Sequence, residues 1–120
     1  MNDGQPNRVV LPWPPKELSP NARIHFRAKA AAVKAYRQSA YWLTMATDMA
    51  APEEGGVALR FDFHPPDRRR RDLDNMLAAI KSGVDGIADA MGVDDQRFGF
   101  WLSREEPVKG GKIVVTVMPS

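Results

Sequence analysis

Val57-Ala58-Leu59-Arg60-Phe61-Asp62-Phe63-His64 places Val57, Leu59, Phe61 and Phe63 on one face and Arg60, Asp62 and His64 on the other. Successive side chains of a strand point to opposite faces, so this segment reads as a strand with one face in a core. Pro65-Pro66 ends it, because proline has no amide hydrogen to give to a ladder. Just past the strand end comes Arg68-Arg69-Arg70-Arg71-Asp72-Leu73-Asp74-Asn75, four arginines running into two aspartates spaced i, i+2. The period then changes. From Asn75 to Met91, Leu77, Ile80, Val84, Ile87 and Met91 recur at steps of three and four, which is one core-facing stripe of a helix. Gly92 follows as its C-cap.

Working outward from this strand–helix unit, Arg8-Val9-Val10-Leu11-Pro12-Trp13 reads as a short first strand that the following Pro14-Pro15 stops or confines to an edge. Residues 1–7 read as a disordered tail, and residues 8–120 as one domain. Pro14 to Arg27 is a loop, with turn chemistry at Ser19-Pro20-Asn21. Phe26 to about Ala50 is rich in alanine, which loses no side-chain entropy on entering a helix. Arg27, Lys34 and Arg37 share much of one side of that helix. Downstream, Asp94-Asp95 stands in a turn, Arg97 to Arg104 reads as a strand, Pro107 to Gly111 as a hairpin connection, and Lys112 to Met118 as the last strand. The order is β-α-β-α-β-β, an α+β domain with a small mixed sheet and two main helices. Trp13, Trp42 and Trp101 are read first as core residues.

A chain of 120 residues with 43% hydrophobic and 27% charged residues fits one ordinary globular domain. No apolar run approaches the ~20 residues that span a bilayer, and the first residues carry no signal-peptide pattern, so a cytoplasmic location without membrane contact is expected. There is no cysteine, which excludes disulfides and thiolate metal sites. The net charge is only +2, but its distribution is uneven. Arg23, Arg27, Lys29, Lys34 and Arg37 lie in the first third, Arg68 to Arg71 form a second cluster, and Asp72, Asp74, Asp85, Asp89, Asp94 and Asp95 follow.

Guanidinium groups fork onto phosphate oxygens with two parallel hydrogen bonds. Mg²⁺ prefers one or two carboxylates together with water and phosphate oxygens. Both chemistries meet between Arg68 and Asn75, which points to a metal-dependent act on a nucleic-acid backbone. The plainer reading is a solvated charge run followed by an aspartate that caps a helix. At about 100° per residue, Asp74, Lys81 and Asp85 fall nearly on one line, beside the apolar stripe. A helix of about 16 residues separates its ends by about 24 Å. Asp95 therefore rejoins Asp74 only if the chain doubles back after Gly92 or if a second subunit supplies it. Carboxylates brought together repel unless protonated or bridged by a cation, so a three-acid cluster beside arginines would predict metal more strongly than Asp-x-Asp alone.

Leu11-Pro12-Trp13-Pro14-Pro15, the loop containing Asn21, Arg71-Asp72-Leu73-Asp74-Asn75 with its helix, Asp94-Asp95 beyond, and Lys109-Gly110-Gly111 leading into the last strand together resemble the RusA-type Holliday junction resolvases, small endonucleases of phage and prophage origin. The resemblance covers essentially the whole chain. It implies a RusA-like fold and a homodimer that binds four-way DNA junctions and nicks two opposed strands with Mg²⁺, for which Mn²⁺ substitutes. It also implies that Asp72, Asp74 and Asp95 are the essential acids and metal ligands. The lysine of the family falls three residues past the Asn, where this chain has Ala78; Lys81, one turn on, is the expected replacement. Arg68, Arg69, Arg70, Arg71, Arg23, Arg27, Lys34 and Asn21 are the expected DNA-contacting residues. Two alternatives are a metal-dependent nuclease acting on other branched or flap DNA, and a non-catalytic DNA-binding or phage structural protein.

Overall fold

The computed structural model describes residues 7–119. The elements are β1 (Arg8–Pro12), α1 (Phe26–Met45), β2 (Val57–His64), α2 (Leu73–Ala79), α3 (Lys81–Met91), β3 (Phe98–Arg104) and β4 (Lys112–Val117). Short 3₁₀ turns occupy Lys16–Leu18 and Asp95–Arg97. The expected tail lies outside the described residues up to position 6. Asn7 is held: its carbonyl accepts from Val117 N at 2.7 Å and its side chain from Ala50 N at 3.1 Å.

The sheet is mixed, in the order β1-β4-β2-β3. β4 runs antiparallel to both β1 and β2, while β3 runs parallel to β2. A parallel neighbour needs a long crossover, and α2 and α3 supply it. This corrects the expectation of a hairpin at Pro107–Gly111, because β3 and β4 lie on opposite sides of β2. The connection instead crosses the end of β2, with Glu105 N donating to Phe63 O at 2.8 Å and Val108 N to Pro65 O at 2.9 Å. Gly111 has φ +71°, and a Cβ there would stand 2.9 Å from Trp13 Cβ and 3.0 Å from Pro66 Cδ. Glycine is required for the chain to thread between those side chains.

Register and alternation put Val9, Leu11, Leu59, Phe61, Phe63, Ile113, Val115 and Val117 on one sheet face, all buried. Tyr36, Ala40, Ile80, Val84 and Ile87 of the helices complete the core. α1 and α3 cross very closely where Gly83 and Gly86 face Tyr36, Arg37 and Ala40. Arg37 forks onto Asp89 at 2.8 and 3.1 Å across that crossing, and Tyr36 OH donates to Pro12 O at 2.7 Å. α1 stops at Met45, short of Ala50. Thr47 bonds back to Thr44 O and accepts from Met49 N, local bonds that compete with the helix ladder.

The single helix expected from Asn75 to Met91 is two. It begins earlier, at Leu73, and breaks at Ile80, whose φ of −105° and ψ of 11° leave the helical region. Leu73 and Met76 ahead of the bend share the core with Val84 and Ile87 beyond it. Gly92 caps α3 in the left-handed region at φ 65°, as its position predicts. Among the described residues no helix is long and apolar enough to cross a membrane.

Candidate nucleic-acid interface

The loop after β2 is folded into a fixed shape by Asp67. Its carboxylate accepts from Arg71 Nη1 at 2.8 Å and from Arg69 N at 2.9 Å, and lies 3.5 Å from the Arg69 guanidinium. The Arg71 hydrogen bond, reinforced by the Arg69 amide, pushes the Asp67 carboxyl down to about 2. Arg71 also reaches the carbonyls of Asp67 and Arg69, and its guanidinium lies 5.5 Å from the centre of the Trp13 ring. Arg104 on β3 donates to Arg71 O at 2.8 Å. The arginine run is thus tied to Trp13 just past the first strand, by a cation–π contact, and to the edge strand, by a hydrogen bond.

Between this loop and the Trp13-Pro14-Pro15 turn lies an open cavity of about 520 Å³. Its floor is apolar, from Phe63, Met76 and Ile80; Arg69 to Asp72 line one side, and Asn21 and Asn75 add amides. Such a surface can take a phosphate on its rim and a flat apolar group against Trp13, Pro14 and Pro15.

The acids occupy two places. Asp72 stands at the N-cap of α2 in extended geometry, yet its side chain makes no capping bond and is exposed. Asp74 is exposed in the first turn, and its Oδ1 accepts from Asn75 N at 3.0 Å. Beyond Gly92 the chain turns back along α3. Asp94 caps the 3₁₀ turn by accepting from Gln96 N at 2.9 Å, and Asp95 approaches Lys81 at 3.7 Å. Lys81 Nζ donates to Asp85 Oδ1 at 2.7 Å, and Asp85 first, with Asp95 behind it, raises the Lys81 pKa. Lys81, Asp85 and Asp95 are therefore brought together, while Asp72 and Asp74 stand at the N-cap and in the first turn of α2, where the arginine loop ends. The bend at Ile80 ends the straight line expected from Asp74 to Lys81. Among the described residues no group of three or more Asp, Glu or His is close enough to hold a metal ion. One chain therefore does not gather Asp72, Asp74 and Asp95 into a three-ligand set.

Of the expected DNA-contacting residues, Arg68 is paired with Glu106 at 2.9 Å, both largely exposed. Arg70 is exposed and has no acidic partner among the described residues. Asn21 lines the cavity, while Arg23, Arg27 and Lys34 are exposed. Arg37, on the same helix side as Arg27 and Lys34, is engaged by Asp89. Trp13, Asp67 and Arg104 were not among the expected site residues. Asp67 was legible as the acid adjoining the arginine run; nothing local marked Trp13 or Arg104. Trp42 and Trp101 are not core residues, at 67% and 54% exposed. Trp42 lies on the outer side of α1, and Trp101 is on the edge strand, facing away from the core side of the sheet.

This chain is 42% identical over 117 residues to an uncharacterized protein of Xylella fastidiosa, covering 94% of this chain and 76% of that one. It is 29% identical over 123 residues to the crossover junction endodeoxyribonuclease RusA of Enterobacteria phage 82, covering 91% of each chain. The Escherichia coli K12 protein of the same name matches at the same identity and coverage. The chain is a distant homologue of these nucleases. No family model matches it.

Proposed function

We propose that this chain is a structure-selective endonuclease of the RusA family that resolves four-way DNA junctions by paired nicks in recombination or repair, and that it is of phage or prophage origin. The similarity that carries this reading runs across nine-tenths of both chains rather than through one motif. The arginine loop is in keeping with it: exposed guanidinium groups beside exposed carboxylates suit a phosphodiester backbone that has to be gripped next to the reacting group. In this reading Arg68, Arg69, Arg70, Arg23, Arg27 and Lys34 hold phosphates. A homodimer offers two equivalent sites, which matches the symmetry of two opposed nicks.

Mg²⁺, with Mn²⁺ able to substitute, is part of the proposal. Asp72 and Asp74 suit it in the ordinary way, as two exposed carboxylates to which water and phosphate oxygens are added. A bound ion supplies charge neutralisation at the phosphate and an activated water. Lys81, kept protonated by Asp85 and Asp95, supplies a cation for charge that develops on the phosphate.

The test is incubation with a synthetic four-way junction and a matched linear duplex, with Mg²⁺ or EDTA, beside Asp74→Asn. Paired symmetric nicks in the junction alone, lost with EDTA and in the variant while junction binding persists, are the expected result. The engagement of Asp85 and Asp95 by Lys81 favours a second reading, a protein that binds branched DNA without cutting it. A junction that is bound and left intact with every metal tried would establish that one.

A further inference from the structure

The cavity beside the arginine loop has a shape and lining that a backbone grip does not need. Phosphate recognition calls for exposed cations, whereas this cavity is also lined by Trp13, Pro14, Pro15 and Ala79, apolar side chains left partly or fully exposed above the buried Phe63, Met76 and Ile80. Its walls carry two flat groups, the Trp13 indole and the Arg71 guanidinium, whose central carbon lies over the indole 5.5 Å from the ring centre. Arg71 is only 18% exposed and is fixed by Asp67 and by two carbonyls, so that plane is held before any ligand arrives. Asn21 and Asn75 bring amides, each with a donor and an acceptor, to the same space. A volume of about 520 Å³ lies in the range of sites that enclose small ligands.

We propose that this cavity receives one unstacked nucleotide of a DNA strand. The base stacks against the Trp13–Arg71 wall and the partly or fully exposed prolines beside it, Asn21 and Asn75 meet its polar edge, and Arg69 and Arg70 hold the phosphate attached to it. Aromatic rings and guanidinium planes are the groups on which unpaired bases stack. A base inside a continuous duplex offers neither of its faces, so the cavity selects strands at a branch, gap or end. The inference rests on the reading above only in taking DNA as the ligand; it requires no cleavage.

The experiment uses the whole chain and a single-stranded oligonucleotide carrying one 2-aminopurine, with the same oligonucleotide paired in a linear duplex as control. Stacking in the cavity is expected to quench 2-aminopurine emission at saturation in the single strand and to leave the duplex unchanged. Trp13→Ala removes part of the first strand's packing, so two milder variants are used, each checked for wild-type circular dichroism. Ala79→Phe fills the cavity from the end of α2. Arg71→Lys keeps the charge and removes the plane. Each is expected to weaken single-strand binding at least about tenfold while duplex binding stays within about twofold. Unchanged emission on binding, failure to bind the single strand, or equal losses on strand and duplex would overturn the proposal. Quenching by a protein that cuts no junction would refute the nuclease and keep the nucleotide site; junction cleavage without quenching would do the reverse.

Discussion

Gly86→Ala is the substitution whose cost the structure fixes most closely. A Cβ at position 86 would lie 2.3 Å from Arg37 O, 3.1 Å from Ala40 Cβ and 3.1 Å from Tyr41 N. Ordinary packing distance begins near 3.4 Å, so α1 and α3 must part by about 1.1 Å at their crossing, because the nearest atom is backbone and cannot swing aside. Overpacking of this kind costs roughly 1–3 kcal/mol. Parting the helices also loosens the Tyr36 hydrogen bond to Pro12, worth about 1 kcal/mol, and the exposed Arg37–Asp89 fork, worth less. Alanine gives back about 1 kcal/mol of helix propensity over glycine. The net is a loss of about 2 kcal/mol, a fall in Tm of about 8 °C for a domain of this size. Thermal unfolding followed by circular dichroism measures it. Gly83→Ala is the internal comparison: its Cβ would meet the Tyr36 ring at 2.7 Å and Leu11 Cδ1 at 3.4 Å, and the ring is buried and pinned by its hydrogen bond to Pro12 O, so its fall should be of similar size. A Gly86→Ala protein as stable as the wild type, or more stable, would mean that the helices do not cross this closely.

Asp67→Asn should loosen the arginine loop with a definite pH dependence. The folded carboxyl is held at about 2, below its ordinary value, so its contribution is present above the unfolded pKa and lost as pH falls through about 2. Melting curves of wild type and variant should differ at neutral pH and converge at the acid end; a constant difference would remove the ionised clip. Arg69→Ala with Arg70→Ala should weaken junction binding and reduce the salt slope by about two, one for each phosphate no longer neutralised. An unchanged slope in salt titrations would place the arginines off the DNA. Lys81→Met should lower junction cleavage by tenfold or more with junction affinity changed less than threefold, and loss of affinity in step with rate would make Lys81 a binding residue instead.

The local elements were legible because their signals are local. The alternation from Val57 to His64 gives β2 at both of its ends, and Gly92 caps α3 as its place after an apolar stripe requires. Sheet order was not, because Lys109-Gly110-Gly111 serves a tight hairpin and a crossing equally well. What decides between them is the steric demand at Gly111 from Trp13 and Pro66, which lie about 98 and 45 residues away and leave no mark in the turn itself. The bend at Ile80 was hidden for a related reason: Leu77, Ile80 and Val84 keep helical spacing on either side of a break. In the candidate site the arginine loop could be read from its composition. The approach of Arg71 to the Trp13 ring and the union of Lys81 with Asp85 and Asp95 depend on how far the chain turns back, which spacing does not encode.

The two halves of the site differ in how firmly they are held, and this bears on how it would work. The grip is rigid. Trp13 adjoins β1, the arginine loop starts at the end of β2, Arg104 comes from β3, and Asp67 locks the loop with several bonds to Arg71 and Arg69. The acid–lysine group is held by little besides exposed ion pairs. Lys81 is 60% and Asp95 50% exposed, at a separation of 3.7 Å, an interaction worth ~0–1 kcal/mol in water. In the proposed reading, a phosphate brought up by the arginines would carry a full negative charge and compete with Asp95 for the same ammonium. Little free energy opposes the exchange, so binding of the backbone by the preformed loop would move Lys81 toward the phosphate and release the Asp95 carboxylate in one event. Asp95→Asn makes the order of events visible. If Asp95 serves only as the partner of Lys81, Asp95→Asn frees the lysine, and junction affinity rises with cleavage retained. If the released carboxylate takes part in the reaction, affinity rises as well but cleavage is lost.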